Sequence, residues 1–387
     1  MHYARHWELH PALPYVAEWT TTARLSQQKA RWRQLATNAI EPNPFYEPEF
    51  LLASAEHIEK ADIRCIAVYR DGAHDAEMIG LFPLRRAQLT AGLPLPALEL
   101  YRNAFSPLTA PLIAGPDAAG VWRCFFEAIA RAADTPRMVL SRFMPTRRGA
   151  YAALEAAAAA SGRAIAVVEQ HCRAAVENVS DFDSYTALYG TKRNKDIRRR
   201  ERRLRELGSV EMRTVRDANG KRAALADFLR IEAAGWKGRE GTAMACKPET
   251  QALAEAIFLS DAAEFDVLTL DGKTITVNAN IVRNGVVYML KTAYDEEYHQ
   301  CSPGVTLDLH DIRNLVTHPE RYSRIDSLAI AGHPIEARWC QREEIASVVI
   351  HTAEKADPSR AASFASLLRG ANRLKGWVKE QIAARKG

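Results

Sequence analysis

The sequence predicts a mixed α/β chain whose sheets are mostly antiparallel and flanked by helices. Three observations carry that expectation. Residues 265–270, 274–282 and 286–293 are β-prone runs joined by short Gly-bearing turns. A helical stripe follows them closely, with Val305, Leu309, Ile312 and Val316 on one face. The first half of the chain alternates β-prone and helical segments in a comparable order.

In the first half, residues 26–37 carry Trp32 and Leu35 on one helical face. Asn43-Pro44-Phe45-Tyr46 breaks that pattern, and a helix restarts over 48–55. Strands are expected at 63–70 and 77–86 around a turn at Asp71-Gly72, with weaker strand patterns at 98–103 and 108–113. A helix over 118–133, a strand over 138–143, an Ala-rich helix over 151–161 ended by Gly162 and a strand over 165–169 complete the half. The second half opens near Asp181. Helices are expected over 182–188 and 194–207, the latter stopped by Gly208, then a strand over 210–215. A helix over 221–236 places Leu225, Phe228, Leu229 and Trp236 on one side, and another helix covers 248–260. After the meander come strands over 324–330 and 346–351 and a basic amphipathic helix over 361–384.

The meander and the helix after it hold the chemistry. Asp271-Gly272 and Asn284-Gly285 suit hairpin turns, because both central residues tolerate φ > 0. Ser302 as N-cap and Pro303 at the first helical position form a start signal, and Gly304 follows. The first turn of such a helix presents backbone N–H groups that attract phosphates. A meander whose last strand ends at a phosphate-accepting helix suggests the acyl-CoA site of a GNAT-type acyltransferase. Four motifs stand in order around it: the basic run 192–205, Gly235-Trp236-Lys237-Gly238, Leu270-Asp271-Gly272, and Tyr294-Asp295 leading to Ser302-Pro303-Gly304. In that order the chain resembles the GNAT-fold family of CelD-type proteins from cellulose and exopolysaccharide clusters, a family related to Fem-type peptidyltransferases. The resemblance covers roughly residues 182–339. It departs at Ile335-Glu336, where the family pattern has Tyr-Lys before the Trp that stands here as Trp339.

The resemblance implies two tandem GNAT-like domains, 1–180 and 181–387. The first lacks a Ser-Pro-Gly or Gly-rich phosphate loop and is expected to be a degenerate copy. Acyl transfer needs a donor where oxyanion charge develops, a place for the pyrophosphate and a proton acceptor. Met289, Leu290 and Lys291 on the last meander strand are the expected thioester contacts, and Ser302, Gly304, Val305 and Thr306 the expected pyrophosphate contacts. Tyr294 and Asp308 are the candidate acid–base groups, chosen among Asp295, Glu296, Glu297, Tyr298, His299 and Asp311 for their place beside those contacts. Trp236, Arg239 and Glu336 are expected on the acceptor side, with a core anchor as the plainer reading of Trp236. A Cys301–His299 nucleophile pair is not expected: residues two apart seldom face each other, and this chemistry needs no covalent intermediate.

Composition and charge bound the rest. With 387 residues, 47% hydrophobic and 26% charged, the chain suits two globular domains. Six dispersed cysteines without a CxxC pair indicate neither a zinc site nor a disulfide framework, so no metal is expected. No apolar run reaches transmembrane length, and the N-terminal residues lack the apolar core of a secretory signal, so a cytoplasmic location is expected. Residues 192–205 hold nine Lys or Arg against two acids, with Ile197 and Leu204 as a narrow apolar stripe. That helix is either a solvated face packed through the stripe or a contact for an anion, tRNA or an anionic surface. The C-terminal helix pairs Leu367, Leu368, Leu374, Trp377, Val378 and Ile382 with Arg369, Arg373, Lys375, Lys379, Arg385 and Lys386, which suits an interfacial helix or a face packed on its own domain. The expected function is acyl transfer from acetyl-CoA or another acyl-CoA to an amine or hydroxyl, on a sugar or polysaccharide precursor. The alternatives are a Fem-type transferase using aminoacyl-tRNA and a non-catalytic accessory of a polysaccharide machine. The oligomeric state is not legible.

Overall fold

The computed structural model describes residues 8–9, 14–70, 76–89 and 94–384, so the expected turn at Asp71-Gly72 lies outside the described residues. The chain forms two compact units. Unit 1 comprises residues 1–55, 61–172 and 344–387; unit 2 comprises 56–60 and 173–343. The sequence-based division at 180/181 gave 344–387 to the second domain. The last strand and helix belong instead to unit 1, because their apolar residues are buried in its core.

Unit 1 opens with β1 (Glu8–Leu9), β2 (Tyr15–Thr21) and a helical stretch of α1 (Thr22–Leu25), α2 (Lys29–Asn38) and α3 (Pro48–Ala53). Its strands continue with β3 (Arg64–Arg70), β4 (Glu77–Gln88), β5 (Pro94–Leu100) and β6 (Leu112–Ile113). After α4 (Ala118–Arg131) come β7 (Met138–Pro145), α5 (Gly149–Ala160) and β8 (Ala164–Glu177), which carries the chain into unit 2. Strands β2 to β5 pair antiparallel in sequence order, and β7 then pairs parallel with β5. Trp122, Phe125 and Phe126 of α4 pack on Ile66, Val68, Phe82 and Val139 of one sheet face.

Unit 2 starts with α6 (Phe182–Ala187), α7 (Gly190–Leu207), β9 (Val210–Val215), α8 (Ala218–Ala234), α9 (Trp236–Arg239) and α10 (Pro248–Phe258). The meander follows as β10 (Ala263–Leu270), β11 (Lys273–Arg283) and β12 (Val286–Tyr294), then α11 (Pro303–Thr317) and β13 (Arg324–Asp326). Strand β14 (Arg342–His351) returns the chain to unit 1, where it pairs with β7, and α12 (Pro358–Ala384) closes it. Strands β9 to β12 are antiparallel neighbours, and β13 pairs parallel with β12. The plan of unit 1 is thus repeated: a four-strand antiparallel sheet, a crossover helix, and a fifth strand parallel to the fourth. Both meander turns are left-handed at both central residues, with φ 49° and 79° at Asp271-Gly272 and 46° and 77° at Asn284-Gly285, as the two hairpin signals require.

Several expectations change. Strand β2 was not anticipated, while the expected strands over 324–330 and 108–113 shrink to three and two residues. Trp236 does not continue the apolar face of Leu225 and Phe228: α8 ends at Ala234, and Trp236 begins α9 with 47% of its surface exposed. On α11 the buried face is Leu307, Asp308, Leu309, Asp311, Ile312 and Leu315, not the stripe through Val305 and Val316. Helix α7 does pack through its narrow stripe: Leu204 is buried and Ile197 packs on the core. On α12, Ala365 and Leu368 are buried against Val168 and Val349, whereas Leu367, Leu374 and Trp377 are exposed. The side chains of Val378 and Ile382 lie outside the described ones.

Candidate active site

The site begins where β12 loses its second neighbour. Val286–Tyr288 of β12 pair with Arg324–Asp326 of β13, and the pairing stops there. On the other side the register with β11 slips: Ala279 faces Lys291 while Asn280 faces Met289, so Leu290 is an extra residue. A bulge of this kind turns the strand and leaves local backbone groups outside the ladder. The expected thioester residues Met289, Leu290 and Lys291 therefore span an irregular strand segment just past the end of the β13 pairing. Met289 is buried in the core under α11. Burial holds the Lys291 ammonium pKa below its usual range, offset in part by Glu232.

The start of α11 is built without a side-chain cap. Ser302 sits at the N-cap in the left-handed region (φ 48°, ψ 56°), and its side chain makes no capping bond. Instead its hydroxyl receives the Arg200 guanidinium from α7, which also bonds Asp196 (2.8 Å). The Ser302 N–H donates to His299 (3.1 Å), the Val305 N–H donates to the Ser302 carbonyl (2.9 Å), and Pro303 has no N–H. Among the first-turn donors, the Gly304 N–H is left without a described partner. Apart from its chain neighbours and its own helix backbone, no atom lies within 4 Å of where a Gly304 side chain would start, so a side chain there would enter open space. Thr306 is buried one turn further in. In unit 1 the equivalent terminus is closed: the Asp117 carboxylate caps α4 through the Gly120 N–H (2.8 Å), placing a negative charge where a phosphate would approach.

Beneath α11 lies a polar interior. Asp308 and Asp311, three residues apart, share the helix face toward β11. Asn278 and Asn280 share the β11 face toward them. Asn278 donates to Asp311 (2.8 Å), and Asn280 donates to Asp266 of β10 (2.8 Å). Burial drives the Asp311 carboxyl far above the usual range, and the Asp266 charge adds to it. Burial likewise raises Asp266, with Thr214 and Asp311 bonding it on other sides. The Asp308 carboxyl is pushed up to about 6 by burial, against the opposing pull of Arg338, whose guanidinium stands 3.6 Å away. Glu264 continues the cluster, paired with Arg216 (3.2 Å), Arg321 and Tyr322. Sequence reasoning missed Asp266, Asn278 and Asn280. The alternation in Thr274-Ile275-Thr276-Val277-Asn278-Ala279-Asn280 was the available signal, but its polar phase reads as solvent-facing until a helix covers it.

The expected acceptor residues fall on two short helical segments, Trp236 and Arg239 on α9 and Glu336 on a 3-10 turn over Pro334–Ala337. Trp236 lines a small pocket with Glu232, Lys237, Thr292, Tyr294 and Glu296. Glu296 fastens this corner by accepting from the Trp236 N–H (2.7 Å) and from Arg239 (2.8 Å). Lys237 bonds the buried Glu232 (3.0 Å) and the Thr292 carbonyl of β12 (2.9 Å). Glu336 accepts from the Gly332 N–H (3.0 Å), so this carboxylate shapes its own loop. Burial lowers the pKa of nearby His333, as do the charges of Arg338 and Lys237. Tyr294 is exposed on the β12 end, and no hydrogen bond joins it to Asp308 among the described residues. Cys301 is buried among apolar residues, away from a nucleophile's environment.

Comparison places this geometry. Residues 191–333 match the family described as Acetyltransferase (GNAT) domain, and unit 2 therefore carries a GNAT-fold acetyltransferase domain. The chain is similar to a C-terminal domain from Agrobacterium fabrum described as belonging to a lysylphosphatidylglycerol synthetase. The two share a TM-score of 0.53 and 12% identity, over 89% of this chain and 95% of that one. It is similar also to FemX, with a TM-score of 0.53 and 9% identity over 87% and 98%. At such identities the likeness is one of fold. No curated protein matches the sequence. No described helix is long and apolar enough to cross a membrane, and no described cluster of His, Cys, Asp and Glu could hold a metal ion.

Proposed function

We propose that the protein transfers an acyl group from an acyl-CoA to an amine or hydroxyl acceptor, with the donor beside β12 just past the end of its β13 pairing. The observation that carries this reading is the Gly304 N–H, without a described partner at an uncapped helix start that comes eight residues (295–302) after β12 ends. The pyrophosphate would sit on that N–H, with Arg200 as a neighbouring cation. The acyl carbonyl would lie along Met289–Thr292, where a strand N–H meets the developing oxyanion. The acceptor attacks the thioester carbon, the C–S bond breaks, and the acceptor proton passes to a base while the thiolate leaves to become the free thiol. A carboxyl near 6 is matched to accepting a proton at neutral pH, which favours Asp308 as base and leaves Tyr294 to protonate the thiolate. Exposed Trp236 offers an apolar face that suits a sugar ring, in keeping with the CelD-like resemblance and a polysaccharide precursor as acceptor.

A Fem-type reaction with aminoacyl-tRNA is the second reading. The groove at the start of α7, lined by Tyr189, Lys192, Arg193 and Lys195, supports it. A thermal-shift series with acetyl-CoA, longer acyl-CoAs and tRNA separates the readings. A ligand at roughly a hundredfold excess over its dissociation constant stabilises by about 2.7 kcal/mol. Stabilisation by tRNA alone overturns the acyl-CoA reading, and stabilisation by neither favours a non-catalytic accessory role.

A further inference from the structure

Unit 1 contains a cationic centre that the proposed transfer leaves unused. Glu99, at the end of β5, is wholly buried and is met by three arginines. Arg85 reaches one carboxylate oxygen through Nε (3.2 Å) and a terminal nitrogen (3.1 Å). Arg102 and Arg142 reach the other through Nε alone, at 2.8 and 2.9 Å. One bidentate guanidinium already satisfies a carboxylate's geometry. Here three cations surround one anion, and the terminal nitrogens of Arg102 and Arg142 have no hydrogen-bond partner among the described residues. The arginine side chains keep 30%, 27% and 14% of their surface exposed, so the excess of two positive charges is held together at an accessible place.

Topology and backbone strain point to the same spot. Arg102 follows β5 and Arg142 lies near the end of β7, the parallel pair that corresponds to β12 and β13. Phe143, next to Arg142, is held in the left-handed region (φ 53°), a strained conformation for a bulky residue. Its ring stands 5.8 Å from the Arg102 guanidinium and 6.4 Å from the His171 ring. We propose that Arg85, Arg102 and Arg142 form a binding site for a phosphomonoester. At neutral pH such a group carries close to two negative charges, which matches the excess, and its oxygens accept from the free guanidinium nitrogens. The site lies in unit 1, whereas the residues of the acyl-CoA reading lie in unit 2.

The test is calorimetric titration of the full chain with inorganic phosphate, a hexose 1-phosphate and a nucleoside monophosphate, with chloride at equal ionic strength as reference. One saturable site is expected. A tighter hexose phosphate assigns a sugar source, and a tighter nucleotide assigns a nucleotide source. Arg102→Gln and Arg142→Gln should each weaken binding by about tenfold or more. Gly304→Glu should leave phosphate binding unchanged. Thermal melts establish that each variant is folded; if Arg142→Gln is not, the more exposed Arg102, as Gln and as Lys, decides. A second reading needs no variant: phosphate should raise the melting temperature of the unaltered chain where chloride does not. No saturable phosphate binding, binding that persists in folded Arg102→Gln, or binding lost in Gly304→Glu would each overturn the proposal.

Discussion

Asp308→Asn should make the protein more stable and less active. The Asp308 carboxyl is buried and titrates near 6 instead of 3.8. Its folded value lies above its unfolded one, so the folded state holds the proton more tightly. The resulting penalty is absent below about pH 4 and complete above about pH 6, and stability falls as the pH rises through that window. The interval corresponds to about 3 kcal/mol. Asparagine keeps the shape and removes the charge. Turned so that its amide oxygen takes the place of Oδ2, it still presents an acceptor to Arg338. Arg338 is 42% exposed and remains hydrated without its charged partner. The net gain at pH 7 is then about 3 kcal/mol, or roughly 6–12 °C in melting temperature for a unit of this size. Melts at pH 4 and pH 7 measure it directly, and the difference between variant and unaltered chain should appear only at the higher pH. Acyl transfer should fall by about 10²–10⁴-fold if Asp308 is the base. A variant no more stable than the unaltered chain at pH 7, or equally displaced at both pH values, would refute the argument.

Gly304→Glu should abolish acetyl-CoA binding without unfolding, since its side chain enters open space and its charge opposes the pyrophosphate; unchanged affinity in calorimetry would sink the donor site. Calorimetry on the full chain should give one acyl-CoA per chain, because Asp117 already occupies the α4 start of unit 1; two sites would contradict this. Leu368→Ala should destabilise unit 1 by about 2–5 kcal/mol, read from denaturant melts, because Leu368 is buried. The double variant Leu374→Glu, Trp377→Glu should leave those melts unchanged, since both side chains are exposed, and should remove salt-sensitive binding to anionic vesicles. Vesicle binding that survives it shows that α12 is not the anchor.

What the sequence by itself determined were the features encoded by neighbouring residues. Asp271-Gly272 and Asn284-Gly285 set both meander turns because only residues tolerant of φ > 0 fit there. Pro303 and Gly304 marked the start of α11, and Leu204 marked the buried line of α7. The tertiary structure decided everything that depends on what covers a residue. Ser302 looked like a cap, yet its hydroxyl meets Arg200, more than a hundred residues earlier in the chain. Asp308 stood out as a candidate acid–base group with Asp311 beside it, but nothing in the sequence marked either as buried, and the even positions of β11 read as the wet face of a strand. Packed on each other, they become a buried acid cluster with shifted protonation. Periodicity tells which residues share a face; it does not tell whether that face meets water, and desolvation is what sets the chemistry of a carboxylate. The same limit hid the assignment of β14 and α12 to unit 1, since strand pairing across two hundred residues leaves no local mark in the sequence.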